Sequence, residues 1–191
     1  MRRRWSPGRR RFLGAAAAAV AIPAASCNRE NSPWRTLTIA EAATAAAVCE
    51  CLIPGDEFPG AGWAGAVNYI DTQLYGHYRK HRGLYRAGLA ALDAASRERY
   101  GKPFAEAPAP SQVELLERVE KGAAPADSWK PAEQKRFFAT ILAHTMQSYY
   151  GDPRHGGNRD GAGYRSIGLT STPVRGRSQH DLTAIPNPGG V

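Results

Sequence analysis

Apolar residues recur along this chain three and four positions apart, and nowhere do they alternate as in a strand. The Ala-rich run from Thr38 to Leu52 predicts a first helix. Thr38 and Glu41 form a capping box at its start, and Pro54–Gly55 stops it. "GDEFPGAGWAG", residues 55–65, is Gly/Pro-rich and predicts a loop. Helix resumes near Ala64, with Val67, Ile70 and Leu74 on one face, and Gly76 interrupts it. A third helix is expected from about Arg79 to Tyr100, with Leu84, Leu89, Leu92 and Ala95 inside and Gly101–Lys102–Pro103 closing it. A fourth begins at Ser111, where Ser111 and Glu114 repeat the capping pattern, and ends at Gly122 with Leu115, Leu116 and Val119 buried. The fifth starts at Pro131, suited to a first helical position, and carries Phe137, Phe138, Ile141, Leu142 and Thr145 to Tyr149. Gly151 stands where a left-handed C-cap is expected. The pattern predicts an all-α fold, one compact domain of about five helices over residues 38–169 with a Gly-rich C-terminal loop. Residues 27–37 read as a linker, and 170–191, polar and aperiodic, as a disordered tail.

The net charge of +8 first suggests nucleic acid, but its distribution argues otherwise. Six arginines lie in the first eleven residues, and no acid precedes Glu30. Without residues 1–26, nineteen basic side chains face seventeen acidic ones, so no basic binding face and no nucleic-acid partner is expected. The basic stretch ends in "GRRRFLG" and continues as the small apolar run "AAAAAVAIPAAS", the length of a signal-peptide core and too short to span a bilayer. Arg9 and Arg10, one residue, then Phe12 and Leu13 resemble a twin-arginine (Tat) export signal, with Gly8 where Ser or Thr is usual. Cleavage is expected after Ser26. "AASC" also resembles a lipobox, which makes Cys27 a candidate for lipidation and a membrane tether. In an oxidising compartment, Cys49 and Cys51 are too awkwardly spaced on a helix to bridge each other. One of them bridges to another chain, or both are small buried residues.

Several chemistries lack their signatures. There is no Cys-x-x-Cys-His for covalent haem, no Walker A sequence and no Gly-x-Gly-x-x-Gly after a strand. "HGG" at 155–157 has no Gly-x-Ser-x-Gly elbow to accompany it. A calcium loop with its glycine at Gly161 needs acids where Gly156 and Ile167 stand. His77 and His81 lie four apart among basic neighbours and read as a solvated face; His144 reads as a hydrogen-bonded core histidine, and Asp56–Glu57 as a turn or cap.

"GDPRHGGNRDGAG", residues 151–163, is the chemically dense segment. Asp152, Pro153, Arg154, Gly156, Gly157, Asn158, Arg159, Asp160 and Gly161 are candidates for a partner-binding loop. Its glycines permit close backbone approach, its arginines can fork onto carboxylates, and its aspartates can cap turns or hold the arginines. The alternatives are an internally bonded loop, or an irregular metal site at Asp152, His155, Asn158 and Asp160 in a self-sufficient exported enzyme. No activated nucleophile or acid–base pair is evident, so catalytic, cofactor-binding and standard metal residues are not assigned.

"HTMQSYYGDPRHGGNRDGAGYRSIGL" (144–169) and "CLIPGDEFPGAGWAGAVNYIDTQL" (51–74) resemble the two recognisable stretches of the gluconate 2-dehydrogenase subunit 3 family. The resemblance implies a small, non-catalytic subunit of an exported FAD-dependent dehydrogenase of sugars, sugar acids or polyols. FAD and haem c would belong to partners: a large flavoprotein of the glucose–methanol–choline type and a multihaem cytochrome c subunit. Tat export carries folded proteins, so a leader on a chain without a cofactor motif suits an escort for a folded flavoprotein, delivered by the Tat translocase to the periplasmic side of the membrane.

Overall fold

The capping box at Thr38 is formed. The Thr38 hydroxyl accepts the Glu41 N–H at 3.2 Å, and the Glu41 carboxylate accepts the Thr38 N–H at 2.8 Å. It starts α1 (Ile39–Leu52) in the computed structural model, which describes residues 32–125 and 129–169. Then follow α2 (Ala66–Tyr75), α3 (Arg82–Tyr100), α4 (Ala109–Lys121), α5 (Pro131–Tyr150) and the short α6 (Ala162–Ser166). No strand occurs among the described residues, so the fold is all-α as expected. The leader with Arg9, Arg10, Phe12, Leu13 and Cys27 lies outside the described residues, as does the tail from 170.

α1 runs through the middle and meets α2, α3, α4 and α5. Its buried side chains are small (Ala42, Thr44, Ala45, Val48 and Cys49), which lets its neighbours approach closely. Larger side chains fill the space around it, among them Tyr85, Leu89 and Leu92 of α3, Leu115 of α4, and Phe137 and Ile141 of α5. Where α3 crosses α5, Gly88 leaves room for the Phe137 ring; a Cβ at 88 would overlap that ring. The turn between α4 and α5 is held by the buried Gln134. Its amide donates to the Trp129 carbonyl at 2.7 Å and the Ala124 carbonyl at 3.2 Å, and accepts the Ala124 N–H at 2.9 Å.

Five features differ from the sequence expectation. A 3₁₀ turn, Arg79–His81, precedes α3. α4 begins two residues before Ser111, with Pro108 as N-cap. Pro110 fits the first turn because its missing N–H has no helical partner there, so Ser111 is not the cap. Glu114, freed from capping, instead accepts Arg99 at 2.6 Å and the Tyr100 hydroxyl at 3.0 Å. Gly151 closes α5 in an extended conformation, φ −83°, not a left-handed one. Glycine stands there because a Cβ would strike the Gln147 carbonyl oxygen. α6 went unforeseen inside the Gly-rich segment. The expected linker is also packed from Ser32 onward: the buried Asp71 carboxylate accepts the N–H groups of Arg35, Thr36 and Leu37 at 2.7, 2.8 and 2.9 Å.

Candidate functional site

The two stretches that carry the family resemblance lie some seventy positions apart in sequence and meet in space. Glu50, near the end of α1, shapes the first. Its carboxylate accepts the Gly55 N–H at 3.0 Å and the Gly62 N–H at 2.9 Å, folding residues 53–65 back over the helix end. Asp56 accepts the Phe58 N–H at 2.9 Å, the turn role expected of it. The second stretch leaves α5 and docks on this loop. The Tyr149 hydroxyl donates to the Pro59 carbonyl at 2.7 Å, and the Arg159 N–H donates to the Ala64 carbonyl at 3.0 Å. The Arg159 guanidinium stands over the Trp63 ring, 5.2 Å from its centre. Close approach explains two of the glycines: side chains at 157 and 163 would collide with Ser148 and with the Tyr149 backbone.

Within 151–163 several polar groups bond to one another. Arg154 forks onto Asp152, with Nε and Nη2 at 3.0 and 2.8 Å from one oxygen, while its backbone N–H donates to the other at 2.9 Å. Hydrogen bonds from Arg154 hold the Asp152 carboxyl below the usual carboxylate range. Pro153 starts a 3₁₀ turn, Pro153–His155, that ends at Gly156 with φ 97°. Asn158 is buried in a left-handed conformation, φ 48°. Its amide donates to the Gly151 carbonyl at 2.7 Å and accepts the Gly163 N–H at 2.8 Å, tying the loop's start to its end. Asp160, also left-handed at φ 53°, offers its carbonyl to Arg165, and Gly161 leads into α6. Of the candidate loop residues, then, Asp152, Arg154 and Asn158 brace the loop, and Arg159 reaches across to the other stretch.

The irregular metal set does not assemble. Asp152 is forked by Arg154, and both ends of the Asn158 amide are occupied by backbone. Among the described residues no group of three His, Cys, Asp or Glu side chains is placed to hold a metal ion. Cys49 is fully buried, its Sγ 3.3 Å from Thr145 Oγ1, and burial pushes its thiol up to about 12. It therefore follows the small-buried-residue alternative and is not exposed to bridge another chain. Cys51 is half-buried in a shallow cleft with Leu52, Val113, Leu116 and Phe138, and donates to Gln112 Oε1 at 3.4 Å. Burial, then the charge of Glu50, raises its thiol to about 11.

His144 is the core histidine the sequence suggested, hydrogen-bonded through Nδ1 to the Tyr85 hydroxyl at 2.9 Å and stacked on Tyr78 at 4.3 Å. Burial, then the nearby His81, lowers its pKa to about 4. His81 departs from the expected solvated face. It turns its ring edge to His144 at 5.5 Å and is partly buried, because the 3₁₀ turn carries it inward. Gln147 accepts the Tyr78 hydroxyl at 2.9 Å and the Tyr69 hydroxyl at 3.4 Å at the edge of this cluster. Sequence reasoning did not single out Glu50, Asp71 or Gln147. Asp71 did leave a signal: it sits four residues after Val67, an acid on the apolar side of an amphipathic helix.

A family model described as Gluconate 2-dehydrogenase subunit 3 matches residues 39–170. No curated protein and no solved structure matches.

Proposed function

This chain belongs to the gluconate 2-dehydrogenase subunit 3 family, and on that premise we propose that it is the accessory, non-catalytic subunit of an exported FAD-dependent dehydrogenase of sugars, sugar acids or polyols. Its role is to bind the folded flavoprotein, stabilise it and take it through the Tat translocase on the leader carrying Arg9, Arg10, Phe12 and Leu13. FAD and haem c reside in the partners, the second in a cytochrome c subunit. The complex lies on the periplasmic side of the membrane, held there by its partners or by a lipid on Cys27.

One observation carries the reading. In the densest cluster of chemical groups, Asp152, Arg154 and Asn158 bond within the loop, and Arg159 crosses to Trp63. The loop thereby builds a shaped surface. Asp152 and the Asn158 amide are occupied within the loop, which suits a binding subunit better than a catalyst.

The test is export. The chain is expressed with a flavoprotein dehydrogenase from an adjacent reading frame, and Arg9 and Arg10 are both changed to Lys. Dehydrogenase activity is expected to move from the periplasm to the cytoplasm. Flavoprotein that still reaches the periplasm would sink the escort role.

A further inference from the structure

One segment of the described domain is cationic without acids. Between Asp71 and Asp93 the chain carries Arg79, Lys80, Arg82 and Arg86 and no acid. Arg82 and Arg86 lie one turn apart on α3 and share a face. Arg136 of α5 lies within electrostatic reach of the turn before α3: burial, then the charges of Lys80 and Arg136, pushes the pKa of His81 below its usual value. Arg82 is held in place, its Nε and Nη2 donating to the carbonyls of Leu74 and Tyr75 at 2.7 and 2.8 Å. Its guanidinium and that of Arg35 stand 5.8 and 5.7 Å from the centre of the Tyr75 ring, which is 58% exposed. None of the ion pairs among the described residues includes Arg35, Arg79, Lys80, Arg82, Arg86 or Arg136.

Like charges gathered on one face repel each other in the free chain, and an oppositely charged surface relieves them. We propose that this face, centred on Tyr75 and its two arginines, is where the dehydrogenase partner docks, and that the matching patch of the partner is acidic; the proposal rests on the accessory-subunit reading. The chemistry favours a protein over a lipid surface. Arginines outnumber lysine here, and planar guanidinia match carboxylates in forked pairs. Two of them are already oriented on an exposed tyrosine, and Tyr and Arg are the side chains that most often dominate protein interfaces. Insertion into lipid calls for several apolar anchors beside the cations, whereas here Arg35 and Arg82 flank the single exposed ring of Tyr75. The Gly-rich loop contrasts with this face, since Arg154 there is already matched by Asp152.

The test titrates the full chain against the purified flavoprotein from the adjacent reading frame. The triple variant Arg79→Glu, Lys80→Glu, Arg86→Glu is expected to weaken Kd by roughly 100-fold, and the corresponding Gln triple by roughly 10-fold. All three residues are exposed, so circular dichroism and Tm should match the parent. Wild-type affinity should also fall as salt rises. Unchanged flavoprotein binding by the Glu triple overturns the proposal and leaves the accessory role standing. The proposal is likewise overturned if Arg159→Glu weakens binding more than the triple does, since the loop is then the docking site. Loss of binding to phosphatidylcholine vesicles containing anionic phosphatidylglycerol, with flavoprotein binding kept, makes this a membrane face and overturns it too. A wild-type chain that fails to bind the flavoprotein takes down both readings.

Discussion

At the scale of single residues, burial decides what a polar group can do. His144 sits among Tyr78, Tyr85 and His81, away from water, and holds its neutral form down to a pKa of about 4 against an ordinary 6.5. Its folded pKa lies below its unfolded one, so protonation favours the unfolded chain. The stability that neutral His144 contributes is complete above pH 6.5 and is lost as pH falls toward 4, with nothing further lost below that. The shift sets an upper bound of about 3 kcal/mol, reduced by solvent screening. Urea midpoints between pH 7.5 and 4 should fall for the parent and fall less for His144→Asn, whose side-chain oxygen can still take the Tyr85 hydroxyl. Equal slopes would show that other groups govern the acid limb. Asp71 is the counterpart case, a buried carboxylate matched by three backbone N–H groups. Nothing in its immediate sequence names those donors, because they lie 34 to 36 positions away.

At the scale of elements, caps and close crossings set the helices. Thr38 and Pro131 were legible because a capping side chain or an N1 proline acts within one turn. Ser111 misled for the same reason: two local signals competed, and the Pro108–Pro110 segment started the helix earlier. Crossings are not local. Gly88 lies mid-helix, where glycine costs about 1 kcal/mol relative to alanine, yet the Phe137 ring occupies the space a methyl would need. Gly88→Ala is therefore expected to destabilise by about 1–3 kcal/mol through overpacking, despite the gain in helix propensity. Gly83→Ala, on the same helix with nothing near its missing Cβ, should stabilise by up to about 1 kcal/mol. Chemical denaturation of both variants checks the pair, and equal signs would mean that α3 and α5 do not cross as tightly as described.

At the scale of the molecule, the two family stretches form one structural unit on the surface, joined by Tyr149 to Pro59, by Arg159 to Ala64 and by Arg159 over Trp63. Trp63→Ala and Arg159→Ala should therefore interact. A double-mutant cycle on unfolding free energy is expected to give a coupling of about 0.5–1 kcal/mol. Additive effects would mean that the two stretches merely lie side by side. The charge pattern also belongs to this scale. A near balance of charge beyond the leader argues against a basic face, but counting cannot show that Arg35 and Arg82, 47 positions apart, meet over Tyr75.

The sequence by itself determined the helical class, most of the helix starts and stops, and the two stretches that mark the family. Each of these rests on interactions within a turn or two, or on a motif written in order along the chain. It also picked out residues 151–163 as unusual, but not what they do. Only the tertiary structure decided that Asp152 holds Arg154, that Asn158 ties the loop to itself, and that Arg159 crosses to Trp63. It also decided that Cys49 is sealed inside, that His81 turns inward, and that Arg35 and Arg82 meet over the exposed Tyr75 ring. The physical reason is one of reach. A side chain's partner depends on which distant segment the packed helices bring within a few ångströms, and the order of residues along the chain does not specify that distance.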